Sequence, residues 1–341
     1  MIKIAIDKIV RGEDLTELET ERVMTEIMEG ETQPSQIAAF ITALRMKGET
    51  VPEITGAAVV MRRKAVPVHT KQKDLVDTCG TGGDGSQTFN ISTISALVAA
   101  GAGVAVAKHG NRSVSSRCGS ADLFQELGVN IEAPVETVEK CLDEIGIGFL
   151  YAPLMHKAMK YAIGPRREIG IRTIFNILGP LTNPAGAGAQ VLGVYEPELT
   201  GILAQVLGNL GCREAWVVHG NDGLDEITTT GPTKVGRWYN NQLEQFEIKP
   251  EELGIKRAKD KDLKGGDTEQ NVSIAHRVLA GDKGPQRDIV VLNAAAAIVC
   301  GQKAKDISEG IKQAEVAIDS GKAMEKLDKL IKLTGGKKSD T

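Results

Sequence analysis

The spacing of apolar and polar positions changes character near residue 70. Before that point, apolar residues recur at helical spacing, and segments 16–19 and 50–53 have the capping-box pattern that starts a helix. Gly30 and Gly48 are predicted to end the helices that precede them. The first part of the chain therefore predicts a small N-terminal α-helical domain.

After residue 70, short β-branched runs alternate with helical stretches. This alternation is typical of an α/β domain with a mostly parallel central sheet covered by helices. Within residues 238–243, the pair Asn240-Asn241 supplies a turn and predicts a hairpin. The clearest predicted strands are residues 104–107, 191–195, 215–219 and 289–292.

Composition excludes several classes of function. The chain has 341 residues, which is enough for about two domains. Its net charge is −4, from 41 basic and 45 acidic residues, so neither nucleic acid nor a membrane is expected as a partner. An N-terminus that meets Asp7 and Lys8 early predicts no export signal and a cytoplasmic protein. Five scattered cysteines predict neither a disulfide framework nor a zinc site.

Residues 77–85 form the most informative segment, because four glycines in six positions follow the apolar pair Leu75-Val76. Glycines let consecutive amides approach an anion, and the helix predicted over residues 91–100 would add its dipole. The segment lacks the Gly-Lys-Ser/Thr ending of a Walker loop and the later acidic residue of a dinucleotide fingerprint. It predicts a phosphorylated ligand other than ATP or NAD. The alternative is a tight strand-to-helix turn without a ligand.

A second donor-rich loop, residues 108–116, follows the predicted strand 104–107. Its lysine, arginine and hydroxyl groups suit several phosphate oxygens, and open α/β sheets bind ligands at the edge where strands end. Ser120 is predicted to cap a helix over residues 121–127. A solvated basic loop is the alternative.

A third loop, residues 219–226, contains three carboxylates. The adjacent acids Asp225 and Glu226 are hard oxygen ligands of the kind that bind Mg²⁺ together with substrate phosphates. Alone, the loop also fits a solvated acidic turn, but two neighbouring phosphate loops favour the metal.

Residues 164–172 depart from the local rules. Pro165 is predicted to begin a helix and to place two arginines in its first turn, where the helix dipole disfavours cations. A rule broken in this way indicates function, such as a guanidinium that clamps a carboxylate. The alternative is a solvated helix start in which an arginine pairs with Glu168.

Together these motifs, in this order and over essentially the whole chain, resemble the anthranilate phosphoribosyltransferase family. The resemblance implies transfer of the 5-phosphoribosyl group from phosphoribosyl pyrophosphate (PRPP) to the amine of anthranilate, the second step of tryptophan biosynthesis from chorismate. It also implies two Mg²⁺ ions per active site. The matching stretches are residues 80–84, 90–93, 108–113, 176–184 and 222–226.

The resemblance implies three sets of site residues. Mg²⁺ would be held by Ser92, Asp225 and Glu226. Anthranilate would contact Gly80, His109, Asn111, His156 and Arg166. PRPP would be bound by Gly80, Gly83, Asp84, Thr88, Asn90, Ile91, Ser92, Thr93, Lys108, His109, Gly110, Asn111, Arg112, Ser113, Val114, Ser115, Ser116 and Ser120.

The resemblance also implies a domain organisation. The helical domain would comprise residues 1–72 with 165–183 packed onto it, and the PRPP-binding α/β domain residues 73–164 and 184–333, followed by a flexible tail, 334–341. A homodimer through the helical domain is expected. An apolar stripe that one small bundle does not easily hide supports it, formed by Ile37, Phe40, Ile41 and Leu44.

Two other functions remain open. A pyrimidine nucleoside phosphorylase shares this overall fold and also binds phosphate with a glycine-rich loop, but its second loop usually departs from the pattern of residues 108–113. A non-catalytic nucleic-acid-binding relative should carry a basic surface and lack the acidic pair. The charge of −4 and the presence of Asp225 and Glu226 disfavour it.

Overall fold

The computed structural model describes residues 1–113 and 118–337. Their seven strands are β1 (Leu75–Gly80), β2 (Ala105–Gly110), β3 (Ile147–Tyr151), β4 (Ala189–Gly193), β5 (Glu214–Gly220), β6 (Thr233–Tyr239) and β7 (Gln242–Ile248). Their α-helices are α1 (Ile2–Val10), α2 (Glu17–Glu29), α3 (Pro34–Lys47), α4 (Val51–Lys64), α5 (Ile91–Gly101), α6 (Ser120–Glu126), α7 (Val135–Ile145), α8 (Ala152–Met155), α9 (Lys160–Ile169), α10 (Ile174–Leu178), α11 (Leu199–Asn209), α12 (Thr268–Ala280), α13 (Pro285–Cys300), α14 (Ile307–Asp319) and α15 (Lys322–Thr334).

The strands form one sheet in the order β3-β2-β1-β4-β5-β6-β7. The first five are parallel, and β5, β6 and β7 pair antiparallel. Asn240 and Asn241 both have positive φ, 50° and 58°, as a two-residue hairpin turn requires. The predicted fold class, a small N-terminal α-helical domain plus a larger α/β domain with a mostly parallel central sheet, is confirmed, and so is the hairpin.

The predicted helix starts and ends in the first seventy residues are also confirmed. Thr16 accepts a hydrogen bond from the Glu19 amide at 3.2 Å, while the Glu19 carboxylate accepts from the Thr16 amide at 2.9 Å. The Glu53 carboxylate closes the start of α4 in the same way, accepting from the Thr50 amide at 2.8 Å. Gly30 lies directly after α2 in the left-handed conformation, which glycine adopts without steric cost.

The apolar stripe that supported a dimer is buried within the chain. Its four residues belong to one core with apolar residues of α1, α2, α4 and α10, and each is at most 1% exposed. The inference that they face a partner is therefore wrong, because α1, α9 and α10 pack against α3 and help to bury them.

Helices α9 and α10 return to the helices of the N-terminal part. Ala162, Ile174 and Phe175 share an apolar core with α2, α3 and α4. The predicted domain boundaries themselves stay a prediction, as does the flexible tail, of which residues 338–341 lie outside the described part. Among the described helices, none is both long and apolar enough to cross a membrane.

Two predicted strands differ in the structure. Residues 289–292 are not a strand but lie in α13, which is buried over most of its surface. Strand β4 covers Ala189–Gly193, two residues before the predicted run 191–195. The difference at residues 289–292 arises because a helix that is buried on all sides is apolar on all sides. The sequence of α13 therefore lacks the helical period that would distinguish it from a buried strand.

Pro165 does not begin a helix. It lies inside α9, which starts five residues earlier at Lys160, so Arg166 and Arg167 occupy the last turn. At a helix C-terminus the dipole favours cations, and the argument that these arginines break a local rule is therefore wrong.

Candidate active site

The site lies at the carboxyl ends of the parallel strands. The chain runs from β1 to β2 and β3 on one side and then returns to β4 on the other side of β1. This reversal creates a crevice between β1 and β4, which is where open α/β sheets bind ligands. Residues 77–80 and 108–110, predicted as loop, are the last residues of β1 and β2, so the loops begin later than expected.

Two glycines at the end of this crevice make room for Asp225. Gly80 and Gly193 are paired between β1 and β4. A Cβ on Gly193 would overlap the carbonyl oxygen of Asp225, and one on Gly80 would lie 2.5 Å from its Oδ2. The acidic loop after β5 therefore crosses directly over the ends of both strands, which brings it to the glycine-rich loop. Sequence reasoning missed Gly193, since nothing local distinguishes it.

The acidic pair accepts hydrogen bonds from main-chain amides of the glycine-rich loop and of the first turn of α5. The Gly82 amide donates to Asp225 Oδ2 at 2.8 Å, and the Ser92 amide donates to Glu226 Oε1 at 3.1 Å. Burial, together with the charge of Asp84, raises the pKa of Asp225 to about 7. Burial and the charge of Asp225 raise the pKa of Glu226 well above its usual value. Both acids are half-buried, so they are not the exposed, solvated turn of the alternative interpretation.

Lys108 is the cation that balances this pair. Its side chain is 1% exposed and donates to the Thr78 carbonyl at 2.5 Å and to Ser92 Oγ at 3.3 Å. Burial lowers the pKa of this ammonium, whereas the charges of Asp77, Cys79 and Glu226 oppose the change. The lysine therefore lies beneath the site and orders the start of α5, rather than extending into solvent.

The glycine-rich loop is held by contacts to its carbonyl oxygens. Lys264 donates to the Ser86 carbonyl at 2.6 Å, and Arg172 donates to the Gly83 carbonyl while its guanidinium lies 4.4 Å from the Tyr195 ring centroid. Thr88 forms a β-bridge with Lys264. These contacts fix the shape of the loop, whose Gly82 amide donates to Asp225, and a glycine-rich loop held in this way can present further amides to an anion. Sequence reasoning missed both cations, which lie far along the chain from the loop.

The start of α5 is built to present its first turn. The Asn90 side chain caps it by accepting a hydrogen bond from the Thr93 amide at 3.2 Å. The main-chain amide of Asn90 donates to Oδ1 of the buried Asn271 at 2.8 Å. Ile91 and Thr93 are buried, whereas Ser92 faces the acidic pair. Asp84 Oδ1 accepts a hydrogen bond at 3.3 Å from the Ser86 amide of the same loop.

The second donor loop leaves β2 at Gly110. Arg112 forms an ion pair with Asp122 at 2.8 Å, and the Ser113 amide donates to the same carboxylate at 3.1 Å. Ser120 does not cap α6 but is its first residue, after Gly119, and its hydroxyl donates to the Asn111 carbonyl at 3.3 Å. The predicted ligands Val114, Ser115 and Ser116 lie outside the described residues.

Two predicted histidines meet beside this loop. His109 Nε2 and His156 Nε2 are 3.2 Å apart. Burial lowers the pKa of His109 to about 3 and that of His156 to about 4, so both rings are neutral near pH 7. A buried network supports them: Asp77 accepts from the His109 amide at 3.1 Å and from Asn183 Nδ2 at 2.8 Å. The pair can line a pocket but carries no charge.

Arg166 is a half-buried guanidinium without an acidic partner in the described part of the chain. Its central carbon lies 5.1 Å from the Phe175 ring centroid. Burial lowers its pKa, yet a guanidinium remains charged near pH 7. A buried cation that lacks a carboxylate is suited to bind one from a ligand.

The oxygen donors fit Mg²⁺ in the presence of a phosphorylated substrate. Among the described residues, no three His, Cys, Asp or Glu side chains are grouped so that they alone would hold a metal ion. Mg²⁺ needs no such cage, because it commonly binds one or two carboxylates and takes its remaining ligands from phosphates and water.

Comparisons with known proteins cover almost the whole chain. The glycosyl transferase family a/b domain matches residues 72–324, and the helical bundle domain of that family matches residues 3–65. Anthranilate phosphoribosyltransferase from Moorella thermoacetica is 56% identical over 331 residues, covering 97% of this chain and 98% of that protein.

Two solved structures show the same architecture. Anthranilate phosphoribosyltransferase from Thermus thermophilus has a TM-score of 0.92 at 44% identity, covering 97% of this chain and 99% of that one. The Saccharomyces cerevisiae enzyme in complex with PRPP and Mg has a TM-score of 0.89 at 29% identity, covering 98% of both chains. These matches show that the chain belongs to the anthranilate phosphoribosyltransferase family, a glycosyl transferase family built from those two domains.

Proposed function

We propose that this enzyme transfers the 5-phosphoribosyl group of PRPP to the amine of anthranilate, as the second step of tryptophan biosynthesis from chorismate. The observation that carries the proposal is that Gly82 and Ser92 each donate an amide to one acid of the pair Asp225 and Glu226. A pyrophosphate at the glycine-rich loop and a cation on the acids would therefore share one site. The yeast relative, whose structure is a complex with PRPP and Mg, supports this assignment.

Substrate binding is divided between two sides of the crevice. We assign PRPP to the glycine-rich loop, the first turn of α5 and the loop after β2, all of which present amides, hydroxyls or cations. We assign anthranilate to Arg166, whose guanidinium is free to pair with its carboxylate, and to Asn111, Gly80 and the neutral pair His109 and His156. Neutral rings suit an aromatic acceptor.

Bond changes at the anomeric carbon decide what the protein must supply. The bond to the pyrophosphate oxygen breaks with its electron pair, a bond to the anthranilate nitrogen forms, and one amine proton is released. An aromatic amine is already neutral at pH 7, so the main needs are to stabilise the departing charge and to align the nucleophile. Positioned amides and the dipole of α5 stabilise negative charge, while Arg166 orients the acceptor.

Mg²⁺, when bound, would neutralise pyrophosphate charge and so favour its departure. Ser92, Asp225 and Glu226 would hold it. We propose two ions per active site, as the family resemblance implies.

A fluorescence assay tests the reaction. Loss of anthranilate fluorescence should require both PRPP and Mg²⁺ and should yield one pyrophosphate for each anthranilate consumed. Phosphorolysis of thymidine without PRPP would instead identify a nucleoside phosphorylase. A chain with neither activity that retains tight, salt-dependent nucleic-acid binding would be the non-catalytic relative.

We also propose a homodimer through the helical part, on a surface other than the buried stripe. Ile4 and Leu18 are 62% and 57% exposed and line one groove between α1 and α2, so they offer neighbouring apolar surface to a partner. Replacing both with Glu should convert a dimer into a monomer in small-angle scattering at micromolar concentration. The matched control is Val316→Glu on α14, which is 61% exposed and should remain dimeric. A monomeric unaltered protein would contradict the interface.

Closure of the helical part over the α/β part should accompany binding. Arg166 and the phosphate loops lie on different parts of the chain, so both substrates would meet only when these approach. The radius of gyration should decrease slightly on adding PRPP, Mg²⁺ and an unreactive anthranilate analogue. Identical scattering profiles would contradict closure while leaving the reaction unaffected. A cytoplasmic location stays a prediction.

A further inference from the structure

One polar side chain interrupts the apolar stretch of α13 that runs from residue 289 to residue 300. Asn293 lies in the middle of α13, among Ile, Val, Leu and Ala residues, and is 3% exposed. A buried amide is costly unless its donors and acceptor are paired, so its presence in such a helix calls for specific partners.

Those partners belong to the acidic loop. The Ile227 amide donates to Asn293 Oδ1 at 2.9 Å, and Asn293 Nδ2 donates to the Ile227 carbonyl at 2.8 Å. The same Nδ2 donates to the Ile289 carbonyl at 2.9 Å, which anchors the amide to its own helix. One side chain thus binds both main-chain groups of a fully buried residue, as a neighbouring strand would.

Ile227 directly follows Asp225 and Glu226. Both acids are half-buried and lie at the crevice, where the Gly82 and Ser92 amides donate to them. Their position therefore depends on what holds the main chain of this loop. Gly193 leaves room for Asp225 on one side of this loop, and the pairing of Asn293 with Ile227 fixes the other side.

We propose that Asn293 is a positioning residue for cation binding: by holding the Ile227 main chain, it keeps Asp225 and Glu226 at the crevice. This inference rests on the proposed function, in which the two acids hold Mg²⁺. Asn293 would act through the acidic loop, without binding the cation or the substrates itself.

The test uses Asn293→Ala and Asn293→Leu in the full chain. Alanine suits a helix that already contains four consecutive alanines after this position, and leucine keeps the branched shape and the number of heavy atoms of the side chain while removing its polar groups. The matched control is Ser95→Ala, which removes a buried hydrogen bond to the same helix, from Ser95 Oγ to the Val290 carbonyl at 3.2 Å, but touches no residue of the acidic loop.

The decisive measurement needs no turnover. At a fixed PRPP concentration and without anthranilate, the rise in Tm is followed as Mg²⁺ is added, and the midpoint concentration is compared between proteins. Losing the two hydrogen bonds to Ile227 should raise this midpoint about tenfold in both Asn293 variants. All three variants should have a lower Tm than the unaltered protein when no ligand is present. Ser95→Ala should nevertheless keep the Mg²⁺ midpoint of the unaltered protein.

Two results would overturn the inference. If the Asn293 variants lose Tm as Ser95→Ala does but keep the midpoint of the unaltered protein, Asn293 only stabilises the fold. If the unaltered protein shows no Mg²⁺-dependent stabilisation by PRPP, the proposed function fails and this inference fails with it. Should the leucine variant not fold, the alanine variant alone decides.

Discussion

Replacing Asp225 with Asn and Glu226 with Gln together should lower turnover by roughly a thousandfold or more, since a catalytic cation contributes several kcal/mol of charge stabilisation. The side chains keep their shape and their acceptor oxygens, so the amides of Gly82 and Ser92 remain paired. What is lost is the negative charge that would hold Mg²⁺ against the pyrophosphate. The measurement is the anthranilate fluorescence assay at saturating PRPP and Mg²⁺.

The third acid of the same loop provides the control. Asp222 is exposed and accepts hydrogen bonds from the hydroxyls of Thr228 and Thr230, at 2.6 Å and 2.5 Å. Its carboxylate is thus bonded to residues that follow the acidic pair in the same loop. Asp222→Asn makes the same chemical change three residues away and should retain most of the activity. Full turnover by the unaltered protein without any divalent cation would contradict the metal assignment.

The double variant should be as stable as the unaltered protein, or more so. Because the folded pKa of Asp225 is about 7, above its ordinary value of 3.8, the folded state binds its proton more tightly than the unfolded state does. That group therefore lowers the free energy of unfolding as pH rises from about 4 to 7. The measurement is urea unfolding without Mg²⁺. The free energy of unfolding of the variant should exceed that of the unaltered protein by more at pH 8 than at pH 5.

Local signals in the sequence predicted the parts of the fold that local chemistry decides. A capping box fixes a helix start through a hydrogen bond across three residues, so the start of α2 at Glu17 could be read directly. The two-residue turn at Asn240 and Asn241 likewise carries its own requirement for positive φ. The loops of the candidate site were found for the same reason, because glycine clusters and paired acids are local features.

The mistakes arose where tertiary burial removes the local pattern. The sequence predicts a strand at residues 289–292, which lie in α13, because a helix that is covered on all sides has no polar face to reveal its period. It predicts a helix start at Pro165 because proline favours a first turn, whereas this proline is the sixth residue of α9. One argument for Arg166, its place in a first helical turn, is therefore wrong.

Other residues of the site could not be found from sequence spacing at all. Gly193 matters because Asp225 passes over it, and Asn293 because Ile227 lies against it, 66 residues earlier in the chain. Such roles depend on contacts between distant segments, and an isolated Gly or Asn carries no sign of them. Asn293 left one trace, a polar residue inside an apolar run, which indicates a buried amide with a specific partner.

The structure gives Arg166 a better reason for its role. Arg166→Ala should raise the KM for anthranilate about 10- to 100-fold, consistent with about 1.5–3 kcal/mol for a hydrogen bond to a charged group. The KM for PRPP should change less than about twofold, because the loss concerns the acceptor alone. The physical reason is that this half-buried guanidinium lies over Phe175 and is free of acidic partners in the described residues, so that it is oriented for a ligand carboxylate. Steady-state kinetics with each substrate varied in turn provides the measurement.

Two further variants separate a clamp from a simple positive charge. Arg166→Lys keeps the charge but not the planar pair of donors, so it should recover only part of the anthranilate affinity. Arg167→Ala removes the neighbouring exposed arginine from the same last turn of α9 and should leave both KM values unchanged. If Arg167→Ala weakened anthranilate binding as much as Arg166→Ala, a general positive potential would explain the effect. If Arg166→Ala left the anthranilate KM unchanged, the carboxylate would have to bind elsewhere in the crevice.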